Sequence, residues 1–377
     1  MDPGAPVIVA ARRTPIAAAG RALARLDAPT LAAPVLAALA ADVRALATGV
    51  DDVVLGNCRG PGGDVARIAA LAAGLGEAVP GVTLDRQCGS GLEAVRLAAA
   101  LVGSGQADVV LAGGVESAST APGGTHHRAA FAPPGHPDPD MGDAADATAR
   151  LLGIPRARQD AYAARSHARA LAAQREGRYD AELVPVAGLA RDPRPRPGLD
   201  AGRLARFRPA FSPAGTVTAG NAAGIDDGAA AVAVVTERLR ADAGLPGLRV
   251  LASGVVGADP ALPPLAAAPA VRAVLARAGR QLADVAQLEI TEAFAAQVLA
   301  ATDALGLDPL GDDAERVCPD GGAIALGHPW SASGALLVVR LFARLVRRAD
   351  IAPGTLGLAA CAIGGGQGLA LLVERVG

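Results

Sequence analysis

Short apolar runs alternate with longer Ala- and Leu-rich stretches along the 377-residue chain. The short runs contain the four to eight residues typical of buried strands, and the longer stretches have room for three or more helical turns. The short runs predict strands at 6–10, 52–56, 82–85, 108–113, 230–236, 250–256, 287–291 and 355–360. The longer stretches predict helices at 30–47, 63–74, 90–103, 156–176, 266–278, 294–305 and 331–348. This alternation is typical of an α/β fold in which helices cover buried strands.

Two parts of the chain repeat the same order of elements. Residues 82–102 contain a strand, a turn with a cysteine and glycines, and a helix, and the next strand ends at Gly113-Gly114. Residues 317–346 contain a Gly-rich turn and a long helix, and the next strand ends at 364–366, which are all glycine. The repetition indicates that the fold is built from two similar halves.

We therefore predict three units in this chain. Residues 1–117 together with 216–240 form the first half, and residues 241–377 form the second half. Residues 118–215 are richer in Pro and Arg and are predicted to form an inserted loop domain. Loops of this kind on a rigid α/β body commonly carry binding function.

Composition excludes several classes of function. The chain is 51% hydrophobic but only 2% aromatic, so its core must consist mainly of Ala, Val and Leu. All 35 basic residues are Arg, and the absence of Lys excludes Schiff-base chemistry and a Walker-type phosphate lysine. The net charge of -2, with both signs interspersed, argues against nucleic acid as a partner.

The same sequence gives expectations about compartment and metals. We expect no membrane association and a cytoplasmic protein, because no apolar run reaches about 18 uncharged residues and the N-terminus shows no cleavage pattern. The four cysteines are too few for a disulfide framework and lack the spacing of a zinc site, so we expect free thiols and no metal.

Cys88 is the strongest candidate nucleophile. It lies between a predicted strand and a predicted helix, in the segment Gln87-Cys88-Gly89-Ser90-Gly91. The N-terminus of a helix favours a thiolate, and the glycines allow an acyl substrate to approach the backbone. A small buried thiol at a turn would produce the same segment, so both interpretations stay open from this segment alone.

Two Gly-rich segments in the second half carry further candidates. His328 lies in Gly327-His328-Pro329 before a long predicted helix, where a neutral imidazole can activate a thiol or donate to an oxyanion. Cys361 ends a predicted strand and is followed by the three glycines at 364–366. The backbone N–H groups of such a turn are suited to an oxyanion hole.

Taken together, the motifs resemble the thiolase family in order and spacing. The likeness extends from Arg12 over essentially the whole chain. It rests on the segments 87–91, 112–117, 218–230, 291–294, 321–329 and 364–368. The resemblance implies a two-lobed α/β protein with a duplicated five-layer α-β-α-β-α core, an inserted loop domain, and a homodimer or dimer of dimers.

The resemblance also implies the reaction and the roles of several residues. Members of the family carry out Claisen condensation or its reverse on acyl-CoA thioesters, with no cofactor besides that thioester substrate. By position, Cys88 is the acylated nucleophile, and His328 activates it and helps to hold a thioester oxyanion. The backbone N–H groups of Cys88 and Gly364 hold the oxyanion of the acyl-enzyme. A second cysteine in the Gly-rich tail acts as acid and base at the α-carbon.

The chain departs from the family pattern at that second cysteine and at an oxyanion hole. Alignment on the glycines places Ala362 at the usual cysteine position, so Cys361 can be the base only if a local bulge turns it to the other face of its strand. Thr291 stands where the family usually has an Asn that holds a water, and a Thr hydroxyl can also anchor one.

Further departures lie in the predicted substrate-binding segments. Met141 keeps the outline of a pocket segment, although Asp140 precedes it where a His is frequent. Phe294 follows in the motif that begins at Thr291 and is assigned to substrate binding. Ser253 falls one place from the usual CoA-contacting serine, and Arg196 is a candidate for the nucleotide phosphates.

Two functions remain open at this stage. The first is an acyltransferase of the thiolase type, acting on an acyl-CoA or acyl-carrier thioester with a standard or a non-standard acceptor. The second is a thiolase-like partner or scaffold subunit that lacks full condensing activity. The presence of both Cys88 and His328 favours the first, because a scaffold does not need an activated thiol.

Overall fold

The computed structural model describes residues 2–46, 48–125 and 128–377. Its strands are β1 (Pro6–Arg13), β2 (Ala17–Ala18), β3 (Asp52–Gly56), β4 (Val82–Leu84), β5 (Val109–Ser117), β6 (Asp226–Thr236), β7 (Gly247–Gly257), β8 (Val285–Ile290), β9 (Leu356–Ile363) and β10 (Gln367–Val376). Its helices are α1 (Ala28–Asp42), α2 (Val65–Ala72), α3 (Ser90–Gly103), α4 (Met141–Leu151), α5 (Arg156–Arg175), α6 (Ala201–Leu204), α7 (Glu237–Asp242), α8 (Ala267–Ala278), α9 (Ala295–Leu305), α10 (Ala323–Leu326) and α11 (Trp330–Leu345).

The strands form two half-sheets that meet edge to edge. The order is β4-β3-β5-β6-β1-β7-β10-β9-β8, with β2 beside β6. In the first half-sheet β1 and β5 are antiparallel to β6, and β5 is parallel to β3; in the second, β7 and β9 are antiparallel to β10, and β9 is parallel to β8. The same order and directions therefore occur twice. The half-sheets are joined where Val7 pairs with Arg249 and Ile8 with Leu248.

Three apolar clusters separate the layers. One lies between the first half-sheet and α1 and α2, and another lies between the second half-sheet and α8 and α9. The central cluster joins both half-sheets to α3 and α11. Alternate residues of one strand enter different clusters, as Leu371 and Leu372 of β10 show, because side chains alternate across a strand. The predicted five-layer α/β core is confirmed.

The two central helices cross at very short backbone distance. A Cβ on Gly91 of α3 would lie 2.5 Å from the carbonyl oxygen of Ser331, and a Cβ on Gly334 of α11 would lie 2.6 Å from the backbone N of Leu92. Only glycine allows this approach. Since α3 begins two residues after Cys88 and α11 begins two residues after His328, the crossing brings both candidate residues to one place.

The segment between β5 and β6 is anchored to the core by buried ion pairs. Arg13 of β1 donates from Nε to Glu182 at 2.6 Å and from Nη2 to Asp192 at 2.7 Å, and all three side chains are fully buried. Arg340 of α11 also pairs with Glu182. Fully buried charges need such pairing, so these contacts fix the segment against the core.

Among the described residues, no helix is both long enough and apolar enough to span a membrane.

Candidate active site

Cys88 lies on a strained turn between β4 and α3. The residue before it, Gln87, has φ +48°, a conformation that non-glycine residues seldom adopt. The backbone N of Gln87 donates to Asp85 at 2.6 Å, and its carbonyl accepts from the Ser90 hydroxyl at 2.6 Å. These hydrogen bonds stabilise the strained conformation and thereby fix the position of the Cys88 side chain.

Burial controls the ionisation of Cys88. Burial is the main reason that the pKa of the thiol is raised to about 12, and the neighbouring Cys361 and Glu116 contribute in the same direction. The backbone N–H at Cys88 lowers the pKa, as expected at a helix N-terminus, but burial outweighs this effect in the resting protein. The thiol is protonated at neutral pH, and its use as a nucleophile requires a base beside it.

His328 is neutral and held at two points. Its backbone N donates to Asp226 Oδ2 at 2.9 Å, and its Nδ1 lies 2.6 Å from the Ser333 hydroxyl. Burial lowers the pKa of His328 to about 4. Because Ser333 engages Nδ1, Nε2 is the ring nitrogen left to exchange a proton with a substrate or with Cys88.

A cavity of about 400 Å³ connects these two residues. Cys88 and His328 both line it, together with Met141 and Phe294 from the predicted substrate-binding set. Its walls are mainly apolar, as in most small-molecule sites. The thiol and the imidazole therefore face the same space.

Cys361 does not line this cavity, whereas its neighbour Ala362 does. The pairing of β9 with β10 continues without a bulge, from Leu369 opposite Cys361 to Gly368 opposite Ala362. Cys361 therefore lies in the central cluster, where its sulfur is 3.1 Å from the Thr291 hydroxyl and burial raises its pKa to about 12. The β9–β10 pairing contains no bulge that would turn the sulfur of Cys361 into the cavity, so its role as the α-carbon base stays a prediction without this support.

Thr291 and Gly364 lie beside the cavity. Thr291 lines a separate space of about 30 Å³ that Ser333, the hydrogen-bond partner of His328, also lines. A space of that size can accommodate one water. Gly364 packs against Phe131 of the cavity wall, since a Cβ there would lie 2.7 Å from the ring.

The structure places Ser253 and Arg196 away from the cavity lining. Ser253 is on β7, and its carbonyl accepts a hydrogen bond from Arg277. Arg196 is exposed in the loop before α6, where its backbone N donates to His167 Nδ1 at 3.3 Å. The geometry therefore does not bring these two predicted contacts to the reacting atoms.

Sequence reasoning missed a second polar group on the cavity wall. Cys58 and Arg59 line the cavity, and the Cys58 thiol donates to Glu116 Oε2 at 2.9 Å. The strands β3, β4 and β5 are parallel, and they lead to Cys58, to Cys88 and to Glu116, respectively. The carboxyl ends of neighbouring parallel strands meet at one edge of a sheet, so this adjacency was a usable signal.

In the part of the chain that the structure describes, no three His, Cys, Asp or Glu side chains come together as a metal site.

Comparison with known proteins agrees with this architecture. The family model for the thiolase N-terminal domain matches residues 6–238, and the model for the thiolase C-terminal domain matches residues 246–375. A Bacillus subtilis (strain 168) protein designated YhfS is 44% identical over 98% of both chains. An acetyl-CoA acetyltransferase of Escherichia coli (strain K12) is 40% identical and covers 98% of this chain and 99% of its own.

A solved structure gives the same result at the level of the fold. The acetyl-CoA acetyltransferase of Bacillus anthracis superimposes with a TM-score of 0.90 at 36% identity, over 99% of each chain. Full-length matches at this identity show common descent as well as a common fold. This chain belongs to the thiolase family.

Proposed function

We propose that this chain forms or cleaves 3-ketoacyl thioesters through an acyl-enzyme on Cys88. Membership of the family makes it an acyltransferase of the thiolase type, and relatives are named acetyl-CoA acetyltransferases. The observation that carries the proposal is that a protonated thiol and a neutral imidazole line one mainly apolar cavity. A partner or scaffold subunit is not favoured, because it needs neither group.

The first step is acyl transfer to Cys88. Nε2 of His328 takes the thiol proton while the sulfur attacks the thioester carbonyl. The Sγ–C bond forms, the bond between the acyl carbon and the CoA sulfur breaks, and the CoA thiolate leaves with the proton that His328 carries. Backbone N–H groups of Cys88 and Gly364 are assigned to the oxyanion.

The second step in the direction of synthesis makes a carbon–carbon bond. The α-carbon of a second acyl-CoA gives up a proton and attacks the acyl-enzyme carbonyl, and the Cys88 sulfur leaves and is reprotonated. Ala362 offers no group for that proton. The titratable groups that line the cavity in the described chain, besides Cys88 and the two arginines, are Cys58, Asp140 and His328, and we assign the proton transfer to this set.

The remaining contacts with CoA are assigned by position. Met141 and Phe294 contact the thioester end, because both line the cavity. Ser253 and Arg196 are assigned to the part of CoA that extends beyond it. A water held by Thr291 would serve the second oxyanion hole.

The acyl-enzyme provides the test. On mixing the protein with acetyl-CoA, we expect one equivalent of free CoA and an acetyl group that peptide mass spectrometry locates on Cys88. Cys88→Ala should abolish the adduct and His328→Asn should slow it. Cys318→Ala is the matched control and should leave it unchanged, because Cys318 is fully buried outside the cavity. A folded protein that gives no adduct with any short-chain acyl-CoA would overturn the proposal.

We also propose that the chain works as a homodimer in the cytoplasm. β4 is the outer strand of the first half-sheet, and it exposes Val82 next to the exposed Ile68 and Leu71 of α2. An apolar strand edge of this kind is suited to pairing with a second copy. The four free thiols fit a reducing compartment. Light scattering on the native chain should give twice the mass of the monomer, and Val82→Lys should lower it.

A further inference from the structure

The wall of the cavity beside Cys88 carries the arginine Arg59. Arg59 lines the cavity with Cys88 and Trp330, and no carboxylate in the described part of the chain forms an ion pair with its guanidinium. The other arginine of the lining, Arg128, is different, because Asp138 pairs with it. Arg59 is half-buried, so its guanidinium borders both the cavity and solvent and can exchange water for a negatively charged ligand.

The guanidinium of Arg59 is held in one orientation. Its Nη2 donates to the carbonyl of Gly124 at 2.6 Å, and its central carbon, Cζ, lies 5.1 Å from the centre of the Trp330 ring. Among the described residues, no other hydrogen bond engages the guanidinium, so its remaining N–H groups are available for a ligand. Stacking on an aromatic ring also reduces the entropy lost when arginine binds a planar anion.

Glu116 connects the segment that carries Arg59 to the segment that carries His328, and it forms no ion pair with the Arg59 guanidinium. The Glu116 carboxylate accepts from the backbone N of Arg59 at 3.1 Å, from the Cys58 thiol and from the Ser331 hydroxyl at 2.5 Å. Ser331 follows Trp330, which follows His328 and Pro329. The stacked pair of Arg59 and Trp330 is therefore tied to the chain segment that carries His328.

We propose that Arg59 binds a carboxylate at the far end of the acyl group, so that the cavity selects acyl-CoA thioesters whose acyl chain ends in a carboxylate. Arginine recognises a carboxylate through two parallel N–H···O bonds, which the free edge of Arg59 can supply. The acyl carbon is bound to Cys88 in the proposed acyl-enzyme, so the chain length that spans from Cys88 to Arg59 determines the preferred substrate. This inference rests on the proposed acyl-enzyme and names its substrate class.

The experiment compares thioesters that share CoA and differ only at the acyl terminus. We expect the wild-type chain to acylate Cys88 faster, in kcat/KM, with one of succinyl-, glutaryl- or adipyl-CoA than with the alkyl thioester of matching length. Arg59→Met should lower kcat/KM for that carboxylate substrate by about 10- to 100-fold and leave butyryl-CoA nearly unchanged. Arg59→Lys should restore part of the loss, and Arg238→Met, at an exposed arginine far from the cavity, controls for net charge.

Two outcomes overturn the inference. An equal loss with both kinds of thioester would mean that Arg59 contacts CoA itself, and no loss with either would mean that it contacts no substrate. Both outcomes differ from failure of the proposed function, which would appear as the absence of acetyl transfer to Cys88 in the wild-type chain.

Discussion

The carbonyl oxygen of Ser331 occupies the space that a side chain on Gly91 would need, 2.5 Å from the position of its Cβ. This contact joins α3 to α11 at the ends nearest the cavity. Because Cys88 precedes one helix and His328 the other, the distance between the catalytic pair depends on it.

Gly91→Ala should force the two helices apart. We expect the free energy of unfolding to fall by about 1–3 kcal/mol and acyl-enzyme formation to slow, because overpacking displaces backbone that cannot yield. Gly103→Ala is the matched control on the same helix. Its Cβ would meet only Pro6 at 3.6 Å, so the gain in helix propensity should leave the protein equally or more stable. Urea unfolding of both variants measures the difference, and equal effects would contradict this role of Gly91.

Ser333 should act by positioning His328. Removing its hydroxyl leaves Nδ1 without its partner at 2.6 Å, so the ring is free to turn. We expect Ser333→Ala to lower the rate of Cys88 acylation by about tenfold, or ~1.4 kcal/mol in activation free energy, with little change in KM. Ser333→Thr keeps a hydroxyl and should recover most of the rate. Stopped-flow release of CoA gives the rate, and a loss in KM alone would assign Ser333 to substrate binding instead.

The low pKa of His328 should appear in the pH dependence of the reaction. With a pKa of about 4, the imidazole is already neutral at pH 5, so the rate of acylation should not fall between about pH 7 and pH 5 through protonation of this base. Single-turnover rates across that range check it. A fall centred near pH 6.5, the ordinary pKa of histidine, would contradict it.

The same shift should affect stability. The folded chain binds fewer protons at His328 than the unfolded chain between about pH 6.5 and pH 4. The neutral His328 side chain therefore contributes to the free energy of unfolding above pH 6.5. That contribution is lost as the pH falls towards 4, on the order of 3 kcal/mol in total. His328→Asn should flatten the pH dependence of the unfolding free energy in this window. An unchanged slope in His328→Asn would contradict this contribution of His328.

A thiol at position 362 should exchange α-protons of the substrate, whereas Cys361 should not. Ala362→Cys places a sulfur in the cavity, and we expect it to raise deuterium exchange at the α-carbon of acetyl-CoA by about 100-fold. Cys361→Ala should leave exchange and Cys88 acylation close to wild type, since that sulfur faces Thr291. Loss of exchange in Cys361→Ala would show that the sulfur reaches the substrate after all.

Much of the fold was accessible from the sequence because apolar runs and turns determine where strands and helices form. All eight predicted strands and all seven predicted helices are present, with shifts at their ends. Helix α4 was not predicted, although Asp140 caps it by accepting from the backbone N of Gly142 at 2.9 Å. Its Gly and Ala content gave little apolar contrast, so the segment was interpreted only as part of a pocket.

The candidate site was less accessible, because its chemistry depends on contacts between distant segments. The segment around Cys88 indicates a helix N-terminus but not the burial that raises the pKa of the thiol. The sequence places Ala362, not Cys361, at the usual cysteine position, but it does not show which side chain faces the cavity. The pairing of β9 with β10 shows that their side chains lie on opposite faces of the strand. Arg59 carries no motif, and its importance follows from the neighbouring parallel strands and from Trp330.

The central cluster draws its side chains from both half-sheets, so neither half can bury its inner face alone. Cys88 belongs to one half and His328 to the other. Catalytic activity therefore requires that the two halves of the chain are packed against each other. A chain cut in the loop at 243–246 would yield two fragments that each carry one member of the pair, and recovered activity on mixing would measure how tightly the halves complement each other.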